Sequence, residues 1–378
     1  MKVENDVTSL VLDIWQYEVE VYNFTKTDLF DEPVENITDY KLIVEGQTLY
    51  VCKKILATYS SFFYEILYEM ATKTLTEYEL EFGLSCNMFR VFLGLLYNRN
   101  NFLTGNNVRN VASTSKSFAV KNCLEECEKW VIESDWHPVT KLGMAKMFDF
   151  KVLPHHVLSN IQTIDDIMEM DRWVDFANFT SDLKIALFDR LTEIKRGEAS
   201  NPENGQFEKQ KIAFTEKREN LTDVALFVDG RMFYVSKQLL ACRSSVFYAM
   251  FFGNFDEKRK EEIELKEIKA DDFDIFLQLV HFPNLNLDKE IIEPVLKLSQ
   301  MFDIEILTKN CETFLRIEKD MNDVRKIELA EKYSLPQLFD DISSKIKTQK
   351  QYKKLSKMEG FERLSMETLG KISMNLLQ

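Results

Sequence analysis

Cys123 and Cys127 stand four residues apart in KNCLEECEKW, a spacing that puts two thiols on one face of a helix and supplies half of a tetrahedral metal site. No second pair of Cys or His falls at a suitable spacing, so the other half is missing. The chain has only four histidines, His137, His155, His156 and His281. His155 and His156 are adjacent, so on a helix they point to different faces, and they are expected to flank a helix rather than bind a metal. The acid pairs Asp165-Asp166 and Asp271-Asp272 read as helix starts, because paired carboxylates are commonplace in an acidic chain. No G-x-x-x-x-G-K-[ST] or G-x-G-x-x-G phosphate loop occurs, and no G-x-S-x-G nucleophile elbow. No catalytic, metal or cofactor site is expected, and the chain reads as non-enzymatic.

The elements that carry these residues must come from a chain of 378 residues, long enough for two or three domains. It is 45% hydrophobic and 12% aromatic, with 11 Gly and 7 Pro, a core-forming composition. The net charge of −14 argues against nucleic acid as a partner. The mixed run Asp256–Asp272 reads as a solvated face. The start, MKVENDVTSLVLDIW, lacks the basic and then apolar order of a secretory signal, and no stretch reaches the ~18 apolar residues of a membrane span. Cytosol or nucleus is therefore the expected location, with no membrane partner. Six cysteines in a chain this long do not imply a disulfide scaffold, and Cys127 reads as a small buried core thiol.

The organisation is a tandem repeat. An offset of 184 pairs Asp39 with Asp223, Gly46 with Gly230, Lys53 with Lys237, Ser60 with Ser244 and Phe63 with Phe247. From Asn36/Asn220 to Tyr64/Tyr248, 15 of 29 positions are identical, and the period is that of a whole domain. In the second copy Val224–Val228 is a short apolar strand, Asp229-Gly230 a tight hairpin turn and Arg231–Val235 the returning strand. Ser236 caps a helix, and Leu239, Leu240, Val246, Phe247 and Phe251 recur as one apolar stripe. A short strand at Ile263–Leu265 follows. Then come a helix opened by Asp271-Asp272, a break over His281–Leu287, and helices over Ile291–Phe302 and Ile304–Ile317. The first copy repeats this layout, with Glu45-Gly46 as its turn and Phe89, Phe92, Phe118 and Cys127 matching Phe273, Phe276, Phe302 and Cys311.

Beyond each copy a weaker repeat continues at an offset of 185, pairing Ala145 with Ala330, Phe148 with Tyr333, Thr163 with Thr348 and Phe176 with Phe361. Thr180 and Ser365 read as caps of closing helices. The expected class is α+β (mixed α/β, mostly helical). The domains are an arm over 1–35, a mixed domain over 36–133, helices over 138–196, a polar linker over 197–219, a second mixed domain over 220–318 and helices over 321–378. Leu10, Ile14, Tyr17, Val21 and Phe24 give the arm an apolar stripe.

Together these residues resemble the BTB/POZ domain signature: Asp223, Val228-Asp229-Gly230, Phe233-Tyr234-Val235 before Lys237, Leu240-Ala241 and Ser244-Ser245-x-Phe247. Their first-copy partners are Asp39, Val44-Glu45-Gly46, Tyr50-Val51, Leu56-Ala57, Ser60-Ser61 and Phe63. The resemblance covers about half the chain. The helical segments resemble the BACK-type extension of BTB adaptors by position and length. Many family members have His just before the Lys at 237; here Ser236 and, in the first copy, Cys52 stand there.

The resemblance implies a protein–protein interaction module, pairing BTB to BTB within the chain or as a homodimer. It also implies binding to the cullin-3 scaffold of a ubiquitin ligase while another part captures a substrate protein. No MATH domain or β-propeller, the usual substrate modules, is recognisable. In the family a hydrophobic-x-acid triplet after the helix hairpin contacts the cullin. Phe255-Asp256-Glu257 fits it, whereas the first copy at the same offset reads Ala71-Thr72-Lys73. The second copy is thus the expected cullin binder, with Tyr248, Met250 and Phe252 near the same surface and the loop at His281 and Phe282, which matches Tyr97, as a further candidate. Phe251 is expected in the core and Phe255 at the surface. The alternative is a BTB scaffold or transcription-regulatory oligomerisation protein without a ligase.

Overall fold

The computed structural model describes residues 30–70, 75–80, 85–97, 103–161, 163, 166, 181–196, 211–253, 260–283 and 287–374. Two compact units part between residues 210 and 211. In the first, β1 (Tyr40–Val44) and β2 (Gln47–Val51) form an antiparallel hairpin with Leu42 opposite Leu49. β3 (Glu77–Leu80) lies parallel to β1, giving the order β2-β1-β3. The helices are α1 (Lys53–Tyr59), α2 (Ser61–Tyr64, running into a π turn at Glu65–Glu69), α3 (Cys86–Leu96), α4 (Val108–Ser117) and α5 (Lys121–Glu133). α6 (Pro138–Phe148), α7 (Leu153–Asn160) and α8 (Ser181–Arg196) form the extension.

The second unit repeats this order. β4 (Val224–Val228) pairs antiparallel with β5 (Arg231–Val235) and parallel with β6 (Glu262–Leu265). Its helices are α9 (Lys237–Ala241), α10 (Ser245–Phe252), α11 (Ala270–His281), α12 (Ile292–Met301) and α13 (Glu305–Ile317). α14 (Asp323–Lys332), α15 (Pro336–Ser343), α16 (Gln349–Leu355) and α17 (Met366–Met374) follow. The class is α+β and mostly helical.

The repeated residues are those that satisfy backbone. Both turn residues adopt positive φ, Glu45 at 49° and Gly46 at 72°, Asp229 at 46° and Gly230 at 77°, so a two-residue turn closes each hairpin. The turn carboxylate then reaches a helix start: Glu45 accepts from the Cys86 N–H at 2.9 Å and Asp229 from the Ala270 N–H at 3.4 Å. Asn36 and Asn220, both at φ 62°, hold the left-handed conformation that Asn tolerates. Asp39 and Asp223 each accept from the first helical N–H, at Lys53 and Lys237, at 2.8 Å. Ser60 and Ser244 do two jobs each. Their hydroxyls accept from the Phe63 and Phe247 N–H at 3.0 Å and donate to the Phe118 and Phe302 carbonyls. Phe63 stacks on Phe118 and Phe247 on Phe302, with centroids 5.1 and 4.4 Å apart, at the heart of each core.

The extension is fastened to its domain by a second repeated pair. Glu128 on α5, 4% exposed, accepts from the Val152 and Leu153 N–H groups at 2.6 and 2.7 Å and so caps α7. Lys141 on α6 donates back to the Ile132 and Ser134 carbonyls at the end of α5, at 2.9 and 2.8 Å. In the second unit Glu312 accepts from the Leu338 N–H at 3.0 Å and Lys326 donates to the Glu318 carbonyl.

Several expectations are corrected. The repeat reaches back to Phe30 and Phe214, both buried, whose carbonyls accept from the Tyr50 and Tyr234 N–H groups at 2.7 Å. Residues 30–35 and 211–219 therefore belong to the units and not to an arm and a linker. Gln278 reinforces this by bonding both the N–H and the carbonyl of Ile212, at 3.0 and 2.7 Å. The single stripe after Ser236 is split between α9 and α10, because Ser244 starts a new helix. His155 and His156 lie inside α7 rather than beside it. Residues 1–29, Phe176 and Thr180 lie outside the described residues.

Candidate partner-binding surface

α10 is apolar on almost every side, and the fold decides which side chains stay at the surface. Phe247, Met250 and Phe251 are buried, Met250 at 0% and Phe251 at 1% exposure. Phe251 takes the core place expected of it. Met250 is withdrawn from the candidate surface, because it has none to offer. Tyr248 and Phe252, one turn apart, are half-buried with centroids 5.6 Å apart. The first unit carries the same feature, Tyr64 against Tyr68 at 5.5 Å. This aromatic pair does not distinguish the two units.

Phe255, Asp256 and Glu257, like Ala71, Thr72 and Lys73, lie outside the described residues. The flanking elements still bear on how the two segments correspond. The residues capping the preceding helices, Met70 and Gly253, are 183 apart, since the π turn adds a residue to the first copy. The following strands, with Val44 opposite Leu80 and Val228 opposite Leu265, are 185 apart. Phe255-Asp256-Glu257 therefore faces Thr72-Lys73-Thr74, Ala71-Thr72-Lys73 or Met70-Ala71-Thr72, depending on where the slip falls. None of these starts with an aromatic residue or ends with an acid, since MATKTLT (Met70–Thr76) holds no carboxylate. Loss of the acid holds in every register; reversal to Lys73 holds in one.

His281 is also withdrawn from the surface. It is the last residue of α11 and only 2% exposed, with its ring against Phe214, centroids 5.0 Å apart. Burial, with Arg243 and then Arg218 nearby, holds its pKa well below the ordinary histidine value, so it is neutral. Tyr97 fills the same place in the first unit, edge-on to Phe30 at 5.2 Å, its hydroxyl accepting from the Cys52 N–H at 2.8 Å. These are interior braces between the N-terminal segment and the end of the third helix. Phe282, half-buried just beyond α11, remains at the surface.

Cys123, Cys127 and Cys311 are all buried, and burial pushes their thiols up, Cys311 to about 12. Among the described residues no group of three His, Cys, Asp or Glu side chains is placed to hold a metal ion. No helix among them is long and apolar enough to cross a membrane. Sequence reasoning missed Glu128 and Glu312, although identity at the repeat offset was a visible signal.

Comparison with known proteins agrees with this layout. The BTB/POZ domain profile matches residues 30–135 and 214–319, once in each unit. BTB and MATH domain-containing protein 38 of Caenorhabditis elegans is 30% identical over 158 residues, 42% of this chain and 41% of that protein. BTB and MATH domain-containing protein 45 of the same organism is 26% identical over 311 residues, 82% of this chain and 59% of that protein, a stretch longer than either unit. Human Kelch-like protein 24 is 31% identical over 129 residues, 33% of this chain and 22% of that protein. The chain spans about half the length of the BTB and MATH domain-containing relatives it matches.

Proposed function

The chain belongs to the BTB/POZ domain family, and from that premise we propose that it is a non-enzymatic adaptor that brings a protein substrate to a cullin-3 type ubiquitin ligase, with the second unit as the cullin-binding copy. The observation that carries this reading is the triplet Phe255-Asp256-Glu257 directly after α10, set against a first copy with no acid anywhere between Met70 and Thr76. A phenyl ring beside a carboxylate is a typical anchor: the ring supplies buried apolar area and the charge selects the partner. Tyr248 and Phe252 add half-buried aromatic area on α10. Since Tyr64 and Tyr68 offer a similar pair in the first unit, the triplet is what separates the two copies.

The test is retention of a purified cullin-3 N-terminal domain by the intact chain and by the double variant Phe255→Ala/Glu257→Lys. Losing an interface anchor typically costs 2 kcal/mol or more, so about thirtyfold weaker binding is expected. An intact chain that retains no cullin would leave a scaffold that works through BTB pairing alone. Pairing within the chain or between chains is read from sedimentation, where a strict monomer at high concentration leaves only pairing within the chain.

A further inference from the structure

In the first unit, α4 and the last turn of α6 leave between them an open groove of about 430 Å³, lined by Arg109, Ser113 and Lys116 from one helix and Met147 and Phe148 from the other. Its size lies within the range of ligand-binding clefts. Phe148 is buried, whereas Met147 is 48% exposed. Arg109 and Lys116 are exposed, and among the described residues no acidic side chain pairs with either. Lys116 uses one of its three donors on the Met147 carbonyl, at 3.2 Å. Seven residues of helix separate the two cations, which sets them about 10 Å apart along one side of the groove.

The second unit fills the same positions differently. On α12 and α14, Glu293 replaces Arg109 and Lys332 replaces Met147, and their charged ends meet at 2.8 Å. Arg325 pairs with the same carboxylate, which the bond from Lys332, and then Arg325, holds below its ordinary value. Gln300 replaces Lys116 and donates one residue further on, to the Tyr333 carbonyl at 2.7 Å, without a charge. The second unit thus ties these positions together with internal ion pairs, whereas in the first two cations with no acidic partner among the described residues stand beside an exposed thioether.

We propose that the groove of the first unit docks a linear acidic segment of a partner protein, with carboxylates about 10 Å apart on Arg109 and Lys116 and an apolar side chain between them on Met147. The charge pattern selects this occupant. A polyproline II segment rises about 3.1 Å per residue and returns to the same face every third residue, so two acids three residues apart span about 9 Å, close to the spacing of the two cations. Methionine accommodates apolar side chains of several shapes. The chain's charge of −14 does not oppose such a ligand at short range, because salt screens charges beyond about 8 Å. The proposal does not rest on cullin binding and is measured without a cullin.

The test is fluorescence anisotropy on the full chain. The probe is a fluorescein-labelled pool of short peptides with two Glu fixed three residues apart, Leu, Met or Phe between them, and Ala, Thr or Pro elsewhere. The intact chain should bind this pool, and a pool with Lys in place of Glu should not bind. Arg109→Glu/Met147→Lys writes the second unit's ion pair into the first and should weaken binding about tenfold. Lys116→Gln keeps a donor for a carbonyl at the end of α6, as Gln300 has for Tyr333 in the second unit, and removes the charge, so about threefold weakening with an unchanged melting curve is expected. Failure of the Glu pool to bind, equal binding by both variants, or equal binding of the Lys pool would overturn the proposal. Binding of a phosphoserine pool with none of the Glu pool would overturn the carboxylate assignment.

Discussion

Replacing Glu128 by Ala should release the extension of the first unit, and replacing it by Gln should not. The carboxylate is buried and accepts from two N–H groups, Val152 at 2.6 Å and Leu153 at 2.7 Å, both on buried residues. Alanine leaves those two donors without a partner, at about 1–3 kcal/mol each. A smaller effect runs the other way. Burial raises the pKa of Glu128, against the lowering effect of the Leu153 and Val152 bonds, so the folded chain holds the ionised form reluctantly. A carboxyl raised on folding contributes stability that is present below its unfolded pKa and lost as pH rises through the folded one. At neutral pH, removing the charge therefore gives something back, and the net loss for Glu128→Ala comes to about 2–4 kcal/mol. Gln keeps an acceptor oxygen and carries no charge, so Glu128→Gln should stay within about 1 kcal/mol of the parent. Hydrogen exchange read on peptides spanning α7 reports this locally. At 1.4 kcal/mol per tenfold, protection there should fall about 30- to 700-fold in the Ala variant. If Gln loosens α7 as much as Ala does, or if Ala leaves exchange unchanged, the acceptor role assigned to Glu128 is wrong.

The remaining expectations concern single repeated positions. Burial, helped by Arg243 and Arg218, holds His281 well below its ordinary pKa, so its contribution is complete above about pH 6.5 and is lost as pH falls, by up to about 1.4 kcal/mol per unit. The urea midpoint of the second unit should therefore drop between pH 7 and 5 more steeply in the parent than in His281→Tyr, which installs the residue of the first unit; parallel slopes would show that the ring is not buried neutral. Ser60→Ala and Ser244→Ala each remove a helix cap and a buried donor to a carbonyl, so each should cost its own unit about 2 kcal/mol, read by calorimetry as a lowered transition for that unit alone.

Much of this fold can be read from residues whose local chemistry is self-contained. Asp229-Gly230 needs no tertiary information to specify a hairpin, and the strands on either side of it end where sequence places them. Ser236 and Ser244 cap helices by bonding backbone three residues away. Features made by distant partners were not legible. The start of each repeat is held by the Phe30 and Phe214 carbonyls, and a carbonyl looks the same in every residue. His281, two residues before a proline, reads as a loop, and only the ring of Phe214, far away in sequence, reveals it as interior. The π turn at Glu65–Glu69 shifts the correspondence of the two copies by one residue just before the triplet, which a constant offset conceals. The groove at Arg109 is a difference between copies, so neither α4 nor α12 announces it alone.

Duplication explains why identity and divergence fall where they do. Asp39/Asp223, Ser60/Ser244, Glu128/Glu312 and Lys141/Lys326 all bond backbone groups at the ends of helices or just beyond them. Losing one costs about 1–3 kcal/mol from a fold worth about 5–15, so drift at these positions is punished equally in both units. Of Arg109/Glu293, Lys116/Gln300 and Met147/Lys332, all but the half-buried, ion-paired Glu293 are exposed, where a substitution is usually worth within about 0.5 kcal/mol of folding. Outside the Glu293 ion pairs, stability therefore does little to set the two groove chemistries apart. Neutral drift would scatter such changes without sense. Here three exchanges agree: each removes a cation or an apolar side chain that a ligand would use, and Glu293 and Lys332 answer one another across the helices. That agreement is what binding selection on one unit, and its relaxation on the other, would leave behind.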